Sequence, residues 1–163
     1  MGGVMSTVFP ANVIAILVAR AASVLEGVNV QSVPLHQMNT GDTVAIVPMG
    51  WDPVEPPQIG QRPNYEEASI QRYSIMIQAL VTSYGQEDGI SRHALLSRRV
   101  RNMLVRDPVL REALSQLYCN EDGVMETFHR LRVNNQRFLV NEGESDGTLY
   151  MSVTDVHVIT EVN

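Results

Sequence analysis

The stretch VMETFHRLRVNNQRFLVNEGESDGTLYMSVTDVHVITEV, residues 124–162, decides the fold. Glu142-Gly143-Glu144-Ser145-Asp146-Gly147 at its centre is a turn signal, and the segments on either side have strand character. In the second segment Tyr150, Ser152, Thr154, Val156, Val158, Thr160 and Val162 share one face, and Leu149, Met151, Val153, Asp155, His157, Ile159 and Glu161 share the other. Residues Val124 to Asn141 and Thr148 to Val162 therefore read as a long C-terminal β-hairpin. Each arm is near 15 residues, whereas a typical strand has about 5 or 6. Arms of that length outreach a small domain, and their edges suit strand addition onto neighbouring subunits.

Upstream, Ser69 to Tyr84 is a further strand, with Tyr73, Ile75, Ile77, Ala79 and Val81 on one face and Met76 and Leu80 on the other. Both faces are apolar toward its end, so both should be covered. Gly85 to Gly89 closes it, and Ser91 is placed to cap a helix whose Leu96, Val100, Met103 and Leu104 form one buried stripe. Asp107-Pro108 interrupts this helix and offers an N-cap and a first-turn proline to a second one running to about Tyr118.

Nearer the N-terminus, Pro10, Asn12 and an Ala-rich apolar run to about Gly27 predict a helix that is apolar around most of its circumference. A helix of that kind is covered by its own sheet and also by a neighbouring subunit. Residues 28–42 read as irregular, and Thr43 to Val47 as a short strand. Pro48, Pro53, Pro56, Pro57 and Pro63 make residues 48–64 a Pro-rich loop or arm carrying Trp51. The predicted order is α-β-β-α-β-β: one α+β domain over residues 1–163, with a mainly antiparallel sheet and helices packed on one side.

Composition narrows the function classes. At 163 residues and 44% hydrophobic, the chain buries a core without needing a metal or a disulfide. The net charge of −6 argues against nucleic acid or an anionic membrane as a partner of the whole molecule. All 12 basic residues are Arg, and six of them (Arg92, Arg98, Arg99, Arg101, Arg106 and Arg111) crowd residues 92–111, where Asp107 is the only acid. Cys119 is alone, so no intrachain disulfide forms. The longest apolar run, Val13 to Ala19, falls short of the ~20 residues that cross a bilayer, and a soluble protein is expected.

The chemistry-bearing motifs are sparse. No glycine-rich phosphate loop follows a strand. His36, His93, His129 and His157 lie on four different predicted elements, and only His129 and His157 have a chance of meeting, across the hairpin. No serine sits in a Gly-x-Ser-x-Gly turn. No catalytic, cofactor-binding or metal-ligating residue is assigned, and no cofactor is expected. The contrast lies in candidate interface residues. Arg98, Arg101 and Arg106 flank the apolar stripe of their helix, where a solvated face and contact with an acidic subunit are the leading readings and contact with DNA, for which stacking aromatic residues are missing, is the lesser one. Trp51 is an aromatic anchor on a proline-stiffened segment, and His157 lies on the hairpin.

The layout resembles the tail terminator and tail-completion (head–tail joining) subunits of long-tailed bacteriophages. The likeness spans nearly the whole chain. It is carried by the N-terminal apolar helix, the strand Arg72-Tyr73-Ser74-Ile75-Met76-Ile77-Gln78, the helix end Arg101-Asn102-Met103-Leu104-Val105-Arg106-Asp107, and the closing stretch Gly147-Thr148-Leu149-Tyr150-Met151-Ser152-Val153 running on to Val158. The resemblance implies a non-enzymatic virion structural protein, made in the host cytoplasm, that assembles with itself into a ring, commonly a hexamer. Such a ring caps the tail tube protein, presents a surface to head-side connector proteins, and meets DNA only as it passes through a central channel. The nearest alternative is another neck protein, a head-completion or connector subunit. A small ligand-binding or enzymatic α/β domain is the alternative from a different class.

Overall fold

The apolar alternation of the two long central strands is matched residue for residue in their pairing. The computed structural model describes residues 9–35, 41–54, 70–83, 86–142 and 147–162. In chain order the elements are α1 (Phe9–Val24), β1 (Asn29–Gln31), β2 (Thr43–Pro53), β3 (Ile70–Ser83), α2 (Gln86–Arg106), α3 (Pro108–Ser115), β4 (Tyr118–Glu121), β5 (Val124–Glu142) and β6 (Thr148–Val162). The strands form one mixed six-stranded sheet in the order β1-β2-β3-β6-β5-β4. β1 and β2 run parallel, and every other neighbouring pair is antiparallel.

Tyr73, Ile75, Ile77, Ala79 and Val81 of β3 and Tyr150, Val156 and Val158 of β6 share one face. They pack into a single buried cluster with Val13 and Leu17 of α1, Leu96 and Val100 of α2, and Leu110 and Leu114 of α3. Each fully buried Val, Leu or Ile contributes roughly 1.5–3 kcal/mol. At its far end β3 is buried on both faces, with Leu80 as well as Val81 out of solvent. There the chain after β1 runs across the second face, and the Leu35 amide donates to Gln78 Oε1 at 3.2 Å.

The α+β class holds, but the predicted order α-β-β-α-β-β and several predicted bounds do not, for four local reasons. Residues 28–42 include β1, whose three residues are too few to show a period; Thr43 and Ala45 of the longer β2 lie alongside Asn29 and Gln31. β2 does not stop at Val47 but runs through Pro48 and Trp51 to Pro53, with a bulge between Pro48 and Gly50. A proline removes a ladder bond only where its nitrogen faces a partner, and β1 covers β2 only at Thr43–Ala45, so the rest of that side has no strand partner among the described residues. The predicted Pro-rich arm is therefore strand up to Pro53, and residues 55–69 lie outside the described residues.

Third, α2 begins at Gln86, so Ser91 is an interior position rather than a cap. Gly89, which reads as a turn residue, lies inside α2, and space there allows nothing larger than glycine: an added Cβ would collide with the Tyr150 ring and lie 2.5 Å from Ser83 Cβ. Fourth, α3 ends at Ser115 and Tyr118 opens β4. Asp122 and Gly123, both with positive φ (55° and 79°), make the two-residue turn that returns β4 into β5. Left-handed conformations at both positions match the twist of paired strands, the reason Asp-Gly favours such turns.

The break between α2 and α3 is held by one carboxylate. Asp107 Oδ1 accepts from the amides of Val109 (2.9 Å) and Leu110 (3.2 Å), capping α3, while Oδ2 accepts from Arg20 Nε of α1 at 2.7 Å. Burial pushes the Asp107 carboxyl upward, but the Arg20 bond and the two amides outweigh it and hold its pKa below the ordinary value. A depressed carboxyl pKa contributes stability that is present above the unfolded-state value, about 3.9, and is lost as pH falls through the folded value. Asp107→Ala should cost about 1–2 kcal/mol at pH 7. In denaturant titrations that difference from the wild type should shrink steadily below about pH 4.

Candidate functional site

Among the described residues the sheet ends in two free edges of unlike character. β4 pairs only with Val124–Thr127 of β5, so from His129 to Glu142 the outer edge of β5 has no strand partner among the described residues. Paired on its other side with β6, β5 presents a long row of open backbone donors and acceptors, a template for another chain. At its far end Phe138, Leu139 and Val140 are all exposed, at 58%, 51% and 61%. Three consecutive apolar residues point to both faces, so one helix layer cannot cover them all. The free edge of β2, by contrast, is blunted by Pro48, Pro53 and the bulge beside Met49.

Next to the exposed end of β5 lies a groove of about 670 Å³. α2 forms one wall with Ile90, His93, Ala94, Ser97, Arg98 and Arg101, which recur at helical spacing. Gln136, Phe138 and Val140 of β5 form the other, with Tyr150 of β6. Gly89 sets its width by letting α2 approach Tyr150 closely.

His93 is buried in the groove wall. Its ring meets Phe138 edge-on, with centroids 5.5 Å apart, and Tyr150 at 6.0 Å. Nε2 lies 3.5 Å from Ser97 Oγ, which donates on to Ser152 Oγ at 3.1 Å. Burial lowers the His93 pKa, so the ring is neutral at pH 7. The folded state therefore resists a proton that the unfolded chain accepts near pH 6.5. Stability should fall as pH drops from about 6.5 toward the folded value, where the ring charges in both states. His93→Phe should flatten that part of the stability-versus-pH curve, as read by urea midpoints between pH 7.5 and 5.

The structure brings only two of the five sequence candidates together. Arg98 and Arg101 line the same groove, and neither pairs with a carboxylate among the described residues. Arg106 lines a separate hollow of about 580 Å³ with Arg20, Arg99 and Asp107, at the junction of the three helices. Trp51 sits on β2 opposite Tyr73, half exposed, its indole N–H donating to Gln71 Oε1 at 2.9 Å. His157 lies on the sheet face away from the helices, opposite Arg132 on β5 and Ser74 on β3. Burial first, then the charge of Arg72, lowers its pKa. The pairing register sets Arg132, not His129, across from His157. Among the described residues no cluster of His, Cys, Asp or Glu has the makings of a metal site.

Sequence reading passed over Ile90, His93, Phe138, Val140 and Tyr150, which build the groove with the two arginines. The run Phe138-Leu139-Val140 was the available signal, since it breaks strand alternation where the hairpin should be half solvated. The chain matches no protein-family model and no curated protein. No helix among the described residues is long and apolar enough to cross a membrane.

Proposed function

We propose that this chain is the tail terminator subunit of a long-tailed bacteriophage, a virion structural protein that forms a ring capping the tail tube and joining it to the head-side connector. The observation that carries the reading is the uncovered length of β5. Among the described residues it keeps an open edge from His129 to Glu142, and it ends in exposed apolar residues. A lone soluble domain guards such an edge, as this one does with proline on β2. Leaving the other edge open costs nothing once a neighbouring subunit covers it.

A second support is the pairing of grease with charge that no carboxylate among the described residues neutralises. Arg98 and Arg101 stand over an apolar groove, the combination that steers an acidic partner and then holds it by burial. The likeness in layout to tail terminators supplies the particular assembly. Its chemistry is contact rather than catalysis, with the tail tube protein on one side and connector proteins on the other.

Native mass spectrometry of the purified chain with tail tube protein should show a closed homo-oligomeric ring, and a mutant phage lacking the chain should make tails of uncontrolled length. Arg98→Glu combined with Arg101→Glu should weaken assembly at low salt by roughly tenfold or more, with the deficit narrowing as salt rises. Assembly indifferent to both charge reversals at low salt would remove the arginines from the interface. Tails of normal length, with heads that fail to attach, would instead favour a head-side connector subunit.

A further inference from the structure

The open edge of β5 runs beside two hollows of the helix layer. Leu131 and Val133 line the first, a hollow of about 600 Å³ whose other wall includes Leu104, Leu110 and Leu114. Gln136, Phe138 and Val140 line the second, the groove of about 670 Å³ along α2. All five β5 residues belong to the row that faces the helices, opposite Val158, Val156, Thr154, Ser152 and Tyr150 of β6. From Leu131 to Val140 is about 30 Å of extended chain. A strand laid along this edge would send every second side chain toward the two hollows.

The charge along this edge has one sign. Residues 130–140 contain Arg130, Arg132 and Arg137 and no Asp or Glu. These three arginines stand opposite Ile159, His157 and Val153, in the row that faces away from the helices. The residues lining the two hollows include Arg98, Arg101, Arg111 and Arg130 and no carboxylate. Two described acids lie close by and are engaged: Asp88 pairs with Arg92, and Asp155 is 4.0 Å from Arg137. Arg98, Arg101, Arg130 and Arg132 pair with no carboxylate among the described residues. Among those residues a second copy offers no matching strand. β1 and β4 have three and four residues, the open side of β2 is interrupted by Pro48, Pro53 and a bulge, and β5 laid on β5 would set arginine rows against each other.

We infer that β5 takes onto its edge, along Arg130–Val140, an extended acidic segment of a different protein whose apolar and acidic residues alternate. Main-chain hydrogen bonds to the edge supply adhesion without regard to sequence. The apolar side chains enter the two hollows, and the acidic ones meet the row of Arg130, Arg132 and Arg137 on the opposite face. Arg98 and Arg101, at the rim of the groove, draw the same charge toward it. This rests on the reading of β5 as a contact surface within an assembly and names the chemistry of what covers it.

The probe is a synthetic decapeptide of alternating valine and glutamate, with a valine–lysine peptide and a proline-interrupted valine–glutamate peptide as controls. Hydrogen exchange read by mass spectrometry should slow at the backbone of residues 130–140 when the valine–glutamate peptide is added. Both controls should bind roughly tenfold more weakly or worse, and the advantage over valine–lysine should narrow as salt rises. Arg130→Glu combined with Arg132→Glu, at exposed positions whose substitution spares the core, should reverse the preference toward the valine–lysine peptide. Exchange unchanged at millimolar valine–glutamate peptide would overturn the inference, and rings still formed with tail tube protein would leave the ring reading standing. Protection of residues 130–140 on concentrating the chain alone would also overturn it, since a second copy would then hold the edge. Peptide addition to a chain that never forms rings would uphold the inference and count against the ring reading instead.

Discussion

The pairing of β3 with β6 is the interaction on which the remaining structure depends. It runs antiparallel from Ile70↔Glu161 to Ser83↔Thr148 without a register shift, and it aligns two alternating patterns so that one continuous apolar face results. A slip of one residue would turn Ile75, Ile77, Val156 and Val158 away from the helices. All three helices dock on that face, and β2 and β5 add to its two sides. The outer strands can thus be irregular, with three bulges between them, without disturbing the core.

Polar contacts then fix how the layers meet. The Glu126 carboxylate of β5 accepts from the Tyr73 hydroxyl of β3 at 2.7 Å and the Thr160 hydroxyl of β6 at 2.6 Å, tying three strands beneath the helices. Burial, and then the Glu126 bond, raise the Tyr73 pKa far above its ordinary value, so the phenol remains a donor. Asp107 does the corresponding work among the helices, joining α1 to the α2–α3 break. At the other end of α2, Arg92 bonds Asp42 and Asp88, anchoring the helix to the start of β2. The groove runs along α2 between Ile90 and Arg101, and the close approach at Gly89 and the anchors at Arg92 and Asp107 hold that helix in place beside it.

The helix layer is narrower than the sheet. α2 and α3 border β5, yet Phe138 and Val140 stay exposed beside α2, and Leu139 lies on the opposite face of the sheet. Exposed apolar residues therefore lie at the ends of β2 and β5 as well as on α2 and α3. Surface so arranged is suited to contacts between bodies, with the charged side chains on α2 setting direction and the apolar ones supplying adhesion.

Much of the frame was legible because local patterns settle it: alternation in β3 and β6, the stripe on α2, and the Asp107-Pro108 break all follow from short-range sterics and hydrogen bonding. β1 escaped because three residues carry no period, and the extension of β2 escaped because proline counts against a strand only if both its sides are paired. β4 escaped because its four residues, like the three of β1, are too short to show a pattern, and only pairing with Val124–Thr127 makes them a strand. The site followed the same division. Arg98 and Arg101 stood out by composition, whereas Phe138, Val140 and Tyr150 joined them through pairing register, and Trp51, Arg106 and His157 were sent to three other places. By itself the sequence determined the periodic elements and the concentration of charge on α2, since both are properties of neighbours along the chain. Only tertiary structure decided the strand order, the unequal edges and the groove, since these depend on which distant segments compete for the same hydrogen bonds and the same buried face.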